Sequence, residues 1–179
     1  MILLARHGRT AYNHEGRFQG QGPVPLDAEG RRQAAELADQ IVRRGDITRL
    51  ISSPVSRALE TATHVVARTG LLPEIDPRWS ETDCGDWQDR SFAEVREADP
   101  EGFAAFQRLE LDFAAPRGES YGDQLARVLD AVDDLRRQDD GSETILVVCH
   151  RNVLRLLLRH ESGEDPGEAG IPNGHLLTL

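Results

Sequence analysis

Leu3-Leu4-Ala5-Arg6-His7-Gly8-Arg9-Thr10 sets the expectation for the whole chain. Its apolar part does not alternate with polar residues, so it reads as a strand covered on both faces, the kind found in parallel sheets packed between helices. The run stops at Arg6-His7-Gly8, which puts polar side chains where a strand passes into a loop. In open α/β sheets that edge is where ligands bind. The triplet joins a permanent cation suited to phosphate, an imidazole able to act as nucleophile or base, and a glycine that lets a ligand approach the backbone.

A second stretch repeats the design. Thr144-Ile145-Leu146-Val147-Val148-Cys149 is a continuous β-branched run that ends in His150, and the 152–159 segment continues with a helical apolar pattern. Between these strands the spacing predicts a helix over 29–44, capped by Asp27, stopped by Gly45 and buried through Ala34, Leu37, Ala38, Ile41 and Val42. It also predicts a strand over 48–52 and a helix from Ser53-Pro54 to about Arg68, with Pro54 in its first turn. Residues 72–75 read as an edge strand, 79–87 as a long loop anchored by Trp79 and Trp87, and 92–112 as a helical excursion broken at Pro100. Ser120 and Asp123 suggest a capping box for a helix that ends near Asp139-Asp140-Gly141. The polar 12–25 and 163–170 segments read as loops, 161–168 as solvated, and 175–179 as a terminal strand. Strand and helix patterns alternate. The expected fold is therefore α/β, a three-layer sandwich with a mainly parallel sheet, helices on both faces and a small helical excursion. With 179 residues, no linker and no repeat, residues 1–179 are expected to form a single domain.

Composition excludes several functions. A net charge of -10 argues against nucleic-acid and membrane-surface partners, which require a basic face. All 21 basic residues are arginine, so Schiff-base, pyridoxal-phosphate and P-loop lysine chemistry are ruled out. No apolar run reaches membrane-spanning length, and 1–5 leads into Arg6 and Arg9 without a leader pattern, so a cytoplasmic location is expected. There the two cysteines, Cys84 and Cys149, would stay reduced, and their spacing offers no metal cluster.

Arg6, His7, Arg57 and His150 all fall at or just after strand ends, and Glu81 lies in the loop between the later two. Two guanidiniums can hold a phosphoryl group and stabilise its transition-state charge. One histidine kept neutral by those cations can accept the group while a second donates to its oxygens. A carboxyl group can protonate the leaving oxygen and later activate water. Such a set calls for no metal and no cofactor.

From Leu4 to Asn13 the chain resembles the signature of the histidine phosphatase superfamily, in its phosphoglycerate mutase-like branch. The resemblance extends in order through Arg17-Phe18-Gln19-Gly20, Pro25-Leu26, Gly30, Ser52-Ser53-Pro54 with Arg57-Ala58 and Thr61-Ala62, Glu81 with Gly85 and Trp87, Gly118-Glu119-Ser120, and Val148-Cys149-His150. It implies that His7 is the phosphorylated nucleophile and Glu81 the proton donor. It further implies that Arg6, Arg57 and His150 hold the phosphoryl group, that Asn13 adds a phosphate contact, and that Gln19 and Gly20 belong to a loop that closes over a small phosphorylated substrate. Three departures bear on the pocket. Arg151-Asn152 stands where the family has glycine, which makes the floor more cationic and adds Arg151 to the substrate-binding candidates. Pro23 replaces an Asp after the Gln-Gly pair, and Thr82-Asp83-Cys84 replaces the basic residues that mutases carry after the acid.

The expected activity is a metal-independent phosphomonoesterase. Two alternatives stay open, a phosphoglycerate mutase-type phosphotransferase and a degenerate protein that binds phosphorylated ligands without turnover. His14, His64, His160 and His175 read as surface or packing residues and Cys149 as a small buried apolar one. A homodimer is compatible with the sequence.

Overall fold

The computed structural model describes residues 1–138, 141–167 and 171–179. The expectations for Asp139-Asp140 and for 168–170 lie outside the described residues. The chain runs β1 (Ile2–Arg6), α1 (Ala11–Glu15), α2 (Ala28–Arg44), β2 (Arg49–Ser52), α3 (Ser56–Thr69), β3 (Pro73–Ile75), α4 (Phe92–Ala98), α5 (Pro100–Gln107), α6 (Tyr121–Gln138), β4 (Ile145–Cys149), α7 (Arg151–Ser162) and β5 (Leu176–Thr178). The five strands form one sheet in the order β3-β2-β4-β1-β5, parallel throughout except for β5, which runs antiparallel beside β1.

Strand periodicity divides the core into two layers. Ile2, Leu4, Ile51, Ile145, Val147 and Cys149 pack on the side of α6 and α7, against Val128, Val132, Val153 and Leu157. Their neighbours Leu3, Ala5, Leu50, Leu146 and Val148 point the other way, onto Leu37, Ala38 and Ile41 of α2 and Ala58, Ala62 and Val65 of α3. This is the expected α/β sandwich.

Pairing register brings the reactive residues together. Arg6 lies opposite Cys149 and Ser52 opposite Val148, so β2, β4 and β1 end side by side. The first residues beyond those ends are Ser53, His150 and His7. The His7 and Ser53 amides still bond to the Cys149 and Val148 carbonyls at 3.0 Å, so the ladder fixes the backbone up to the site itself.

Several boundaries differ from the sequence reading. The 12–25 segment is not all loop, because α1 opens it: Thr10 accepts from the Asn13 amide at 3.1 Å and Asn13 Oδ1 accepts in return from the Thr10 amide. Pro54 precedes α3 rather than sitting in its first turn; its cap is Val55, although Arg57 does fall in that turn. Val42 is 50% exposed rather than part of the buried stripe, since it is rotated about 100° from Ile41 on the helix. The excursion after Pro100 ends its helix at Gln107, not 112. Ser120 Oγ accepts from the Asp123 amide and donates to its carboxylate, a variant of the expected cap. A short 3-10 turn over Pro77–Trp79 leads into the loop of 79–87 and another, Gly85–Trp87, closes it, with Trp79 fully buried under the sheet and Trp87 in a separate core.

That separate core belongs to the excursion. Val95, Phe103, Phe106, Leu109 and Tyr121 cluster with Phe18 from the loop after β1 and with Leu156 from α7, which ties the helical cap to the loop side of the sheet.

The loop after β1 and the start of α2 touch backbone to backbone. A methyl group on Gly30 would overlap the Arg9 carbonyl oxygen, and one on Gly8 would overlap the Gly30 carbonyl. Gly30→Ala is therefore expected to cost about 2 kcal/mol, an apparent Tm loss of about 4–8 °C in a chain of this size. A thermal scan by circular dichroism checks it, and an unchanged Tm would show that the contact relaxes freely.

Candidate functional site

His7 is 2% exposed at the end of β1. Its Nδ1 lies 2.7 Å from the Gly8 carbonyl oxygen. A carbonyl can only accept, so this nitrogen carries the proton and Nε2 is left with its lone pair. Arg57 Nε donates to that Nε2 at 3.1 Å. The remaining arms of Arg57 are held by the Gly20 carbonyl at 2.8 Å and the Gly22 carbonyl at 3.3 Å, which ties the 19–22 turn to the histidine. Thr61, one turn further along α3, accepts from the Gly8 amide at 3.0 Å and donates to the Arg57 carbonyl at 2.8 Å.

The electrostatics follow from this packing. Burial, then the Arg57 and Arg6 charges, push the His7 imidazole well below its ordinary value of 6.5. Burial and the Arg57 charge do the same to His150. Arg57 is pushed down to about 10, chiefly by burial. His7 thus presents a neutral nitrogen within a group of guanidiniums.

A cavity of about 290 Å³ opens over this corner. Of the residues singled out in the sequence, Arg6, His7, Asn13, Gln19, Gly20, Arg57, Glu81 and Arg151 all line it. His150 does not. It is fully buried behind His7, with ring centroids 5.2 Å apart, its Nε2 at 2.8 Å from Ser53 Oγ and its Nδ1 without a hydrogen-bond partner among the described residues. Pro23 is exposed and off the lining. His14, His64, His160 and His175 are also off it.

Glu81, 9% exposed, is held through Oε1, which accepts from the Thr82 amide at 2.9 Å and lies 3.5 Å from Gln124 Nε2. Thr82 Oγ1 donates to Gln124 Oε1 and accepts from Asn152 Nδ2 at 3.2 Å. The carboxyl group is thereby linked to α6 and to the start of α7, one residue beyond Arg151. Its backbone carbonyl accepts from Gln21 Nε2 at 3.1 Å, a second tie to the 19–22 turn.

Three polar groups escaped the sequence reading. Asn173 donates to the His7 carbonyl at 3.0 Å and to Asn13 Oδ1 at 3.3 Å. Gln124 is a fully buried polar side chain in an otherwise apolar helix face. Thr61 was read only as part of the resemblance, with no task. A lone Asn, Gln or Thr has no spacing to betray it. Gln124 left one trace, since it stands among the apolar positions Leu125, Val128 and Leu129.

The histidine phosphatase superfamily (branch 1) model matches residues 2–178. The chain belongs to that superfamily. It is 36% identical over 88% of its length to a bifunctional protein of Mycobacterium tuberculosis, but spans only 43% of that relative. It is 35% identical over 87% of its length to a metal-independent phosphoserine phosphatase of Arabidopsis thaliana, spanning 66% of it. Among solved structures, a mycobacterial glucosyl-3-phosphoglycerate phosphatase in complex with VO3 superposes with a TM-score of 0.86 at 30% identity, covering 98% of this chain and 90% of that one. No helix among the described residues is long and apolar enough to cross a membrane.

The depressed imidazoles carry a sign. Below about 6.5 the unfolded chain takes up protons on these two histidines that the folded chain refuses, so stability falls as pH drops from 7 to 5. Apparent Tm measured across that range is expected to decline, and His7→Gln should flatten the decline. A Tm that rises towards pH 5 would contradict the assignment.

Proposed function

We propose that the protein is a metal-independent phosphomonoesterase that hydrolyses a small phosphorylated metabolite through a phosphohistidine on His7. The observation that carries this reading is the fixed tautomer of His7, with Nδ1–H spent on the Gly8 carbonyl and the Nε2 lone pair directed at Arg57.

In the free protein Arg57 Nε occupies the nucleophilic lone pair. A bound phosphoryl group offers this donor an anionic oxygen instead, which is the stronger acceptor. Arg57 then turns to the substrate and Nε2 is released towards phosphorus. Arg6 and Asn13 supply further donors, and Arg151 adds positive charge from the start of α7. His150, screened from the cavity, acts from behind, with its imidazole able to donate to a phosphoryl oxygen once the group has entered.

In the first half-reaction Nε2 forms a bond to phosphorus as the P–O ester bond breaks, and Glu81 gives its proton to the departing alkoxide. In the second, the Glu81 carboxylate takes a proton from water, whose oxygen bonds to phosphorus as the P–N bond breaks. Inorganic phosphate leaves and the acid is again protonated. Both guanidiniums stabilise charge that develops on the equatorial oxygens, the task a divalent ion performs in other phosphoryl-transfer sites.

An assay with 4-nitrophenyl phosphate in excess chelator tests the reading. Wild type is expected to release phosphate at an undiminished rate, and His7→Ala to lose at least about a thousandfold in kcat/KM. Equal turnover by wild type and His7→Ala, or none by wild type, would overturn it. Glu81→Gln should slow an alkyl phosphate at least about tenfold more than the nitrophenyl ester, whose leaving group needs little protonation. Equal losses on both esters would remove Glu81 from the acid role.

A further inference from the structure

Beyond Arg6, His7 and Arg57 the cavity changes character. Apart from Glu81 and Arg151, already assigned to the phosphoryl end, the charged side chains on the lining are Arg17 and Glu119, one of each sign. Arg17 is engaged by Glu15 at 2.8 Å and by the Asp89 carbonyl at 3.0 Å. Glu119 is clamped by Arg127 through both oxygens, at 2.6 and 2.8 Å. The chain has no lysine to add. The far end therefore lacks the excess positive charge that a second anionic group on the substrate would call for.

What this end does offer is ring surface. Phe92, the first residue of α4, packs on Phe18 with centroids 4.7 Å apart. Phe113, in the loop before α6, packs on Trp87 at 5.2 Å and on Tyr121 at 5.9 Å. Phe18, Trp87 and Tyr121 are 5% exposed or less, as members of the cap core should be. Phe92 and Phe113 are only half-buried, and both line the cavity. A core that served the cap alone would bury these two as fully as their partners; here two phenyl groups remain available where a substrate would lie.

We infer that the alcohol half of the substrate carries a planar aromatic or heteroaromatic group that packs against Phe92 and Phe113 while its phosphoryl group meets His7. This rests on the phosphatase reading and adds the substrate class. The size agrees: about 290 Å³ is at the small end of ligand cavities, enough for a phosphoryl group, a short linker and one ring system. Ring-on-ring packing adds to the apolar area that leaves water. A second carboxylate or phosphate would instead meet Glu119 and the engaged Arg17.

Esters of matched primary alcohols isolate this effect, because their leaving groups are alike. On wild type, 2-phenylethyl phosphate and a nucleoside 5′-monophosphate should exceed glycerol 3-phosphate in kcat/KM by about tenfold or more, the gain expected from burying one ring, and the difference should reside mainly in KM. Phosphate esters that carry a second anion, with 3-phosphoglycerate as the probe, should rank no higher than glycerol 3-phosphate. Phe113→Ser should bring the aromatic-to-aliphatic ratio close to one, and Phe113→Tyr should preserve it. Calorimetric titration of His7→Ala with 2-phenylethyl phosphate and glycerol 3-phosphate reads the same preference as binding, with no turnover required. Equal binding of the two, or a preference for 3-phosphoglycerate, would overturn the inference while leaving hydrolysis intact. Absence of hydrolysis by wild type, with the binding preference retained, would overturn the phosphatase reading alone.

Discussion

Everything at this site depends on the parallel pairing of β1 with β4. With Arg6 opposite Cys149, the histidine that follows each strand emerges beside the other. A slip of one residue would turn Leu3 and Ala5 from α2 and α3 towards α6 and α7, and would separate His7 from His150 by a further step along the strand. The two apolar layers forbid it: each strand face is already matched to a different pair of helices. The hydrophobic effect thus sets the register, and the register sets the chemistry.

The second constraint is electrostatic. Two unit charges about 4 Å apart interact by about 4 kcal/mol at the effective dielectric of a protein surface, and a buried pair is screened less. An imidazolium beside Arg57 and Arg6 is thereby strongly disfavoured, so the His7 ring stays neutral. Those same guanidiniums are what a phosphoryl dianion requires. In the proposed reaction, one cluster of positive charge keeps the histidine unprotonated and attracts the group it attacks. In that reaction Arg57 couples the two tasks, since in the free protein its Nε lies on the Nε2 lone pair.

The strands and long helices were legible in the sequence because burial on two faces gives a continuous apolar run and burial on one gives a stripe. β1, β4, α2 and α7 follow their patterns closely. Short elements were not legible, as α1 shows. Its five residues bury no side chain, and its start rests on a Thr10–Asn13 exchange rather than on the more familiar Ser or Thr with Glu. At the site, residues at or just after a strand end could be read from order alone, which brought His7, Arg57 and His150 to one edge. What order could not give was depth: His150 is behind His7 and not on the cavity wall, a matter of ring packing. Nor could it give the surroundings of Glu81, because Gln124 reaches that carboxyl from α6 while Asn152, on α7, is linked to it only through Thr82.

The cap completes the division of labour. The sheet edge carries the ladder-fixed residues to which we assign the phosphoryl group, while the aromatic excursion of 92–113 contributes Phe92, Phe106 and Phe113 to the cavity lining. The central claim is that the phosphoryl group passes through the Nε2 of His7. Mixing enzyme with 4-nitrophenyl phosphate, quenching within milliseconds in alkali and mapping the phosphorylated peptide by mass spectrometry tests this most directly. The account predicts a phosphoryl group on His7, stable to alkali and lost in acid. Release of phosphate with no such adduct, or an adduct on another residue, would contradict it.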